Sequence, residues 1–315
     1  MNRRRFLGLA AATALFGPAA VRAAPALLAA ATCDEEARLA VVDVRAERVV
    51  RFIPCLPDPR SIESLGWHTA VVCHTAAGAV SILDGSSLGI RAVVRGFTEP
   101  RYVAAHPGGR SAFVTDSGTK EVVAVDVAAG HRRGRLKLEE WPRHITADPQ
   151  RQRLWVGLGT ASEHVAVVDV SDPGRLRLER MVHPPFLAHD VGFEPDGRRV
   201  WVTSGNLDEL AVYTPEGRLL QRLPADAPPQ HVTFGGGMAY VTSGDDGTLR
   251  AVSLRHGRAV ASVRVPVGSY NVQSGHGLVL TPSLVSGALS VLNRASRLVH
   301  HVEVASSSHD ACFLS

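Results

Sequence analysis

One short pattern returns about every forty residues along the chain, and this repeat limits the fold more than any other feature. Each copy is an apolar, alternating segment with a polar residue at or near its end: AVVDV, VSILD, VAVDV, AVVDV, LAVYT, LRAVS and LSVLN. Because internal repeats of about 20–50 residues mark arrays of one supersecondary unit, seven such units are expected. The polar residues are Asp43, Asp84, Asp126, Asp169, Thr214, Ser253 and Asn293, separated by 41, 42, 43, 45, 39 and 40 residues.

Each unit contains four short segments with the two-residue period of a β-strand. In one unit these are residues 101–105, 111–115, 121–127 and 131–138, separated by turns rich in Gly, Pro, Asp and Ser. Four such strands in succession predict an antiparallel meander. A period near forty with four strands per unit is typical of a propeller blade. The sequence therefore predicts an all-β, seven-bladed β-propeller with four antiparallel strands per blade.

The two ends of the chain are expected to share one blade. The first copy has segments that match second and third strands but none that matches a first strand. Residues 309–314 supply the missing strand at the C-terminus. The last blade would thus be closed by N- and C-terminal strands, which leaves no exposed sheet edge in the ring.

Several segments of the repeat resemble a known family. AFVT at 112–115, VWVT at 200–203 and AYVTS at 239–243, with the EPDG turn at 194–197, are similar to the YVTN-type β-propeller repeat. That family includes YncE-like and lactonase-like seven-bladed propellers. The resemblance covers essentially the whole chain after its N-terminal segment. It implies the fold and a periplasmic or extracellular setting, but no particular chemistry.

The N-terminal residues 1–23 have the composition of an export leader. Consecutive arginines Arg3, Arg4 and Arg5 precede Phe6-Leu7, a short apolar stretch and a small-x-small cleavage pattern near residue 23. This arrangement resembles the twin-arginine signal peptide. We therefore expect residues 24–315 to form a single propeller that is exported to the periplasm or the extracellular space.

Charge and composition argue against a nucleic-acid partner and against a transmembrane helix. The formal net charge is +4, with 45% hydrophobic and 20% charged residues, and the basic residues are spread along the chain. We expect no nucleic-acid partner, because no basic cluster interleaved with aromatic residues occurs. No segment reaches the ~18 apolar residues that a transmembrane helix needs.

Four cysteines leave two alternatives open. An even number in an exported chain is compatible with up to two disulfides, and isolated buried thiols are the other outcome. The spacing does not indicate a pairing. The residues are Cys33, Cys55, Cys73 and Cys312.

The residues that open the seven first strands are the main candidates for a site. First strands line the central channel of a propeller, so these residues should meet at one mouth of it. Four of the seven are histidines. The positions are Ser61, Tyr102, His144, His189, His231, Asn271 and His309.

The positions just before them place Arg60, Arg101 and Arg143 on adjacent blades. A guanidinium donates paired hydrogen bonds to a carboxylate or phosphate. The chain is therefore expected to bind a small anionic or polar molecule at this mouth. The expected ligand-binding set is Arg60, Arg101, Tyr102, Arg143, His144, His189, His231, Asn271 and His309.

The histidines are also compatible with two alternative roles. In the first they only supply polarity where a strand meets the channel water, which predicts solvated histidines and no tightly bound ligand. In the second they bind a metal, Cu or Zn, since neutral imidazoles suit both ions. The candidate metal ligands are His144, His189, His231 and His309.

A hydrolase is the alternative from another functional class. PRHI at 142–145 and the later PDG are similar to motifs of phosphogluconolactonase-like propellers, which implies hydrolysis of an anionic lactone. His144 or His189 would activate water, and Arg101 or Arg143 would stabilise the oxyanion. A protein partner on the top-face loops is a further alternative. The nearest candidate acids are Glu63 and Glu99.

Overall fold

The computed structural model describes residues 26–66, 68–150, 152–225 and 227–314. These residues form β-strands, turns and loops, and none of them is helical. Accordingly, no helix in this part of the chain is long and apolar enough to span a membrane. The predicted leader lies outside the described residues and stays a prediction.

The strands follow one another along the chain in groups that make up the blades. The first group is β1 (Leu28–Cys33), β2 (Arg38–Asp43) and β3 (Arg48–Pro54). The second is β4 (Pro59–Gly66), β5 (Thr69–His74), β6 (Ala79–Asp84) and β7 (Gly89–Arg95). The third is β8 (Pro100–Ala105), β9 (Ser111–Asp116), β10 (Glu121–Asp126) and β11 (His131–Lys137). The fourth is β12 (Pro142–Ala147), β13 (Arg153–Leu158), β14 (Val165–Asp169) and β15 (Arg177–Val182).

The remaining strands continue the same order. The fifth group is β16 (Ala188–Phe193), β17 (Val200–Ser204), β18 (Glu209–Tyr213) and β19 (Leu219–Pro224). The sixth is β20 (Val232–Gly235), β21 (Met238–Ser243), β22 (Thr248–Ser253) and β23 (Arg258–Arg264). The seventh is β24 (Gln273–Gly275), β25 (Leu278–Pro282), β26 (Ala288–Asn293) and β27 (Leu298–Glu303). The chain ends in β28 (Ala311–Phe313).

These strands form seven four-stranded antiparallel sheets, the blades of a ring. We number the blades 1 to 7 in the order of the groups above. The predicted seven-bladed β-propeller is confirmed, and so is its closure. Strand β28 pairs with β1 in the register Ala29↔Phe313, Ala30↔Cys312 and Ala31↔Ala311, which completes blade 1.

The hydrophobic core lies between neighbouring blades. Trp155 of blade 4 is fully buried and packs in one cluster with Phe193 and Tyr213 of blade 5. Trp201 has the equivalent position in blade 5 and packs against Val232 of blade 6. Each blade thus stabilises the next, because its sheet faces are buried only by the neighbouring blades.

The closing strand belongs to the same packing scheme. Phe313 packs with Leu280 and Leu289 of blade 7 and is 7% exposed. A Cβ at Gly275 would lie 2.6 Å from the Phe313 ring, so this close approach requires glycine there. Blade 7 therefore packs directly against the strand that closes blade 1.

All four cysteines are free thiols, so the structure supports the second of the two alternatives drawn from the sequence. Cys33, Cys73 and Cys312 are buried, and Cys55 is partly buried. Burial raises the pKa of Cys33 to about 11 and that of Cys55 to about 12. These thiols are therefore un-ionised and unreactive at neutral pH.

Candidate binding site at the channel mouth

Local irregularities in the first strands direct the candidate side chains toward the channel axis. The register of β12 with β13 shifts between Pro142 and Ile145, so Arg143 and His144 stand outside the regular ladder. Shifts at the same place occur in β4, β8 and β16. A bulge re-aims the side chains it contains. The predicted first-strand openings are therefore bulges in these four blades.

Threonines on the second strands hold these openings in position. Thr115 accepts a hydrogen bond from the backbone N–H of Tyr102 and donates one of 2.6 Å to the carbonyl of Arg143 in the next blade. Thr203 accepts from the N–H of Asp190 and donates to the carbonyl of Gln230 at 2.8 Å. The threonine of the YVT-like segments thus links adjacent blades at the mouth.

Three imidazoles and one phenol ring meet near the channel axis. The ring centroids of His144 lie 4.6 Å from His189 and 4.7 Å from His231, and those of His189 and His231 are 5.6 Å apart. The Tyr102 ring lies 4.4 Å from that of His144. His144 is 1% and His231 7% exposed, whereas His189 is partly exposed. A role limited to channel polarity requires solvated histidines. His144 and His231 are instead buried, which does not fit that role.

The three histidines are held at Nδ1. This atom of His144 lies 2.5 Å from the carbonyl oxygen of His189, and Nδ1 of His189 lies 2.7 Å from that of Thr160. His231 Nδ1 lies 3.3 Å from Oδ2 of Asp190 in the preceding blade. Asp190 therefore faces the histidine of the next blade rather than its own neighbour in sequence.

The fourth histidine of the predicted set lies apart from the other three. His309 Nδ1 lies 2.7 Å from the carbonyl oxygen of Arg60 and 2.9 Å from Nδ2 of Asn271. Its ring belongs to the same layer, 6.2 Å from Tyr102. Among the described residues, the group whose ring nitrogens converge contains His144, His189 and His231, and His309, the fourth predicted metal ligand, lies outside it.

Three arginines lie on adjacent blades beside the imidazole layer. Arg60 Nη1 lies 3.6 Å from Oδ2 of Asp34, and Arg101 Nη2 lies 3.7 Å from Oε2 of Glu99. The Arg143 guanidinium carbon lies 6.0 Å from the centre of the Tyr102 ring. Burial, followed by the positive charge of Arg143 nearby, lowers the pKa of Arg101.

Burial controls the charge state of the imidazole layer. Burial, followed by His189 and His231, holds the pKa of His144 well below its usual range. Burial lowers the pKa of His189 to about 4 and raises that of Tyr102 to about 12. These imidazoles are therefore neutral near pH 7. An imidazole with so low a pKa is a weak base near pH 7. The site therefore gives no support to the predicted role of His144 or His189 as a general base.

A polar cavity of about 260 Å³ adjoins the imidazole layer inside the channel. Its polar lining includes Glu63, Asp190, Gln273 and Asp310, together with His231. Gln273 donates a 2.8 Å hydrogen bond to Glu63, yet burial raises the pKa of Glu63 to about 7. Glu63 therefore faces this cavity rather than the arginine rim.

Glu63 is expected to make the stability of the protein depend on pH. Its folded pKa of about 7 exceeds the ordinary value of 4.5, so the folded state holds the extra proton between these pH values. Stability is then lost as pH rises from 4.5 through 7. Between pH 5 and 8 the free energy of unfolding of the wild type should fall by about 2 kcal/mol, after allowance for screening by the channel water. In Glu63→Gln this fall should be absent. Urea unfolding at several pH values measures this pH dependence, and Glu139→Gln, at an exposed position, is the control. Equal pH dependence of stability in the wild type, Glu63→Gln and Glu139→Gln would contradict the raised pKa of Glu63.

Comparison with solved structures identifies the architecture. The chain is similar to a protein of unknown function from Desulfotomaculum acetoxidans, with a TM-score of 0.79 and 12% identity over 91% of this chain and 98% of the other. This likeness shows a β-propeller fold. The chain is also similar to Kuenenia stuttgartiensis hydrazine synthase, with a TM-score of 0.65 and 15% identity over 80% of this chain and 88% of the other.

A further similar structure is the dihydro-heme d1 dehydrogenase NirN in complex with DHE. The TM-score is 0.66 at 13% identity over 90% of this chain. The chain spans 65% of the length of that protein. No protein-family model and no curated protein matches the sequence, so membership of the YVTN-type family stays a prediction.

Proposed function

We propose that this propeller is a binding protein that holds a small oxyanion, a carboxylate or phosphate, at the mouth rimmed by Arg60, Arg101 and Arg143. The observation that carries the proposal is the gathering of three guanidiniums from adjacent blades, two of which make only long contacts to a carboxylate. Their contacts to Asp34 and Glu99 are 3.6 and 3.7 Å long. Those distances exceed a good hydrogen bond, so the guanidinium donors stay available to a ligand.

The buried atoms of the rim support the same conclusion. Nε of Arg101 and Nε of Arg143 are buried and have no hydrogen-bond partner among the described residues. Leaving a buried donor unpaired costs about 1–3 kcal/mol. An oxyanion would accept from these donors and relieve the repulsion between the cations, and its planar or tetrahedral oxygens fit the fork of a guanidinium.

The likeness to NirN suggests one particular probe. NirN is a dihydro-heme d1 dehydrogenase, and haems combine carboxylates with an iron that imidazole ligates. The mouth presents arginines and histidines together, so haemin is a reasoned test ligand beside simple oxyanions. With the predicted leader, the proposed function is that of an exported cofactor- or metabolite-binding protein.

Arginine substitutions should weaken oxyanion binding strongly. Titration calorimetry with oxalate and with inorganic phosphate is expected to give one site per chain, with an affinity that falls as salt is raised. Arg101→Gln and Arg143→Gln should each weaken binding about tenfold or more, since a charge-assisted hydrogen bond contributes about 1.5–3 kcal/mol. Haemin, followed by its absorption spectrum, is titrated in parallel.

The matched control is Arg258→Gln, an exposed arginine at the start of β23 on the outer side of blade 6. It should bind both anions as the wild type does. Binding that is absent in the wild type, or that falls equally in the control, would overturn the proposal. Such a result would leave a metal site at the histidines and a protein partner on the top face as alternatives.

A further inference from the structure

We infer that His144, His189 and His231 form a binding site for one divalent transition metal ion, Cu(II) or Zn(II). One ring nitrogen from each residue lies within 4.8 Å of a ring nitrogen of each of the other two. The three residues come from blades 4, 5 and 6, so their convergence is a property of the ring and not of a local sequence motif. The inference does not depend on the arginine rim.

The hydrogen bonds of the imidazoles determine which nitrogen is available. A backbone carbonyl only accepts hydrogen bonds, so Nδ1 of His144 and Nδ1 of His189 must each carry the proton. Their Nε2 atoms then carry the lone pairs. In the same way, His231 presents Nδ1 to the Asp190 carboxylate. Metal-ligating histidines typically donate their second nitrogen to a carbonyl or carboxylate in this manner.

The groups behind the histidines are fixed as well. Asp190 Oδ2 accepts a 3.1 Å hydrogen bond from the backbone N–H of Val232, and the N–H of Asp190 donates to Thr203. The carbonyl that holds His144 belongs to the bulged strand of blade 5. Strands supply the contacts that hold His144 and His231, so these two ring orientations are set before any ligand arrives, whereas His189 is held by Thr160 in the loop after β13.

One ring nitrogen shows that the three imidazoles do not satisfy each other's hydrogen-bonding capacity. Nε2 of His144 is buried and has no partner among the described residues. A lone pair left unpaired in the interior is costly, and a cation shared with two further imidazoles removes that cost. Three histidines packed only as core residues would leave this atom without a partner.

The donor set selects the kind of metal. It contains three neutral nitrogens and no thiolate or carboxylate, which disfavours Ca²⁺ and Mg²⁺ and suits Cu(II) and Zn(II). Among divalent ions Cu(II) binds such sites most tightly. Three protein ligands are fewer than the four that zinc usually takes, which leaves a position for an exogenous ligand. An oxyanion at the neighbouring arginine rim would be suited to fill it.

The test uses untagged protein stripped of metal by a chelator, in a buffer without carboxylates or phosphate. Copper(II) titration followed by electron paramagnetic resonance is expected to give one site per chain with splitting from imidazole nitrogens. Zinc calorimetry should give the same stoichiometry. His144→Gln is expected to weaken copper binding at least 100-fold, and His189→Gln serves as a second variant because its partly exposed side chain tolerates change better.

A pair of histidines in edge-to-face contact elsewhere in the chain provides the matched control. His164 and His183 have ring centroids 4.7 Å apart outside the channel, and His164 is held by Glu140. The double variant His164→Gln/His183→Gln should bind copper as the wild type does, with folding of every variant checked by thermal unfolding. The inference would be overturned if the wild type does not bind copper, or if folded His144→Gln and His189→Gln both bind it with full affinity. An equal loss of copper affinity in the control double variant would also overturn it.

Discussion

Removal of residues 309–315 is expected to abolish the folded ring. The truncation deletes β28 and with it the side chains of Ala311, Cys312, Phe313 and Leu314, which are 1%, 2%, 7% and 2% exposed. Burial of a large apolar side chain contributes about 1.5–3 kcal/mol, so the total loss approaches the ~5–15 kcal/mol that stabilises a whole domain. The backbone of β1 would also become an unpaired edge, which favours aggregation.

The measurement is soluble yield together with cooperative thermal unfolding. Phe313→Ala provides a graded case and should cost about 3–5 kcal/mol without preventing folding. Leu298→Ser, on the exposed outer strand β27, should leave the midpoint nearly unchanged. A synthetic peptide of residues 305–315 is expected to restore the truncated protein by pairing with β1. A truncated chain that unfolds cooperatively within a few degrees of the wild type would contradict ring closure.

Trp201 and Trp155 have equivalent places in neighbouring blades but should respond differently to substitution. Both are fully buried, and changing either to Ala is expected to cost about 3–5 kcal/mol through the cavity left between blades. Trp201 Nε1 also donates a 2.7 Å hydrogen bond to buried Glu194, whereas Nε1 of Trp155 has no partner among the described residues.

Substitution by Phe separates packing from this hydrogen bond. Trp201→Phe should cost about 1.5–3 kcal/mol more than Trp155→Phe, because it takes a donor from a buried carboxylate. Urea unfolding measures both, and Trp141→Phe, at a side chain 37% exposed, is the control. Equal losses at Trp155 and Trp201 would show that the bond to Glu194 contributes nothing.

The repeat carried almost all the information about the fold. Its period predicts the number of blades, and the unmatched first copy predicts that residues 309–314 close the ring; both are confirmed, although β28 itself is shorter, at Ala311–Phe313. The reason is physical: a blade cannot bury its faces alone, so seven alike units in one chain must pack on one another. Trp155 illustrates this packing, since it lies in the cluster between blades 4 and 5.

The site was predictable in position but not in detail. Equivalent places in the repeat indicated that His144, His189 and His231 would meet, and the structure brings their nitrogens within 4.8 Å. The separation of His309 follows from its place in blade 1, which is not next to blades 4, 5 or 6, and its ring is held by contacts with Arg60 and Asn271. Thr115 and its equivalents were not predicted as part of the site, although their recurrence in the YVT-like segments was a usable signal.

The bulges explain why the strand pattern of the sequence does not predict the side-chain positions at the site. A strand pattern of period two states which residues share a face, but a bulge shifts that register by one residue. The bulge before Ile145 is what places Arg143 and His144 outside the regular ladder. No periodic feature of residues 142–147 marks its location, so only the three-dimensional structure shows it.

The most direct test of the mouth as the functional site is a crystal structure of the protein grown with copper and oxalate, recorded at the copper absorption edge. We predict one anomalous peak bound by His144, His189 and His231, and oxalate in contact with the guanidiniums of Arg101 and Arg143. Copper and oxalate found only on the outer strands, with the mouth unchanged, would contradict this prediction.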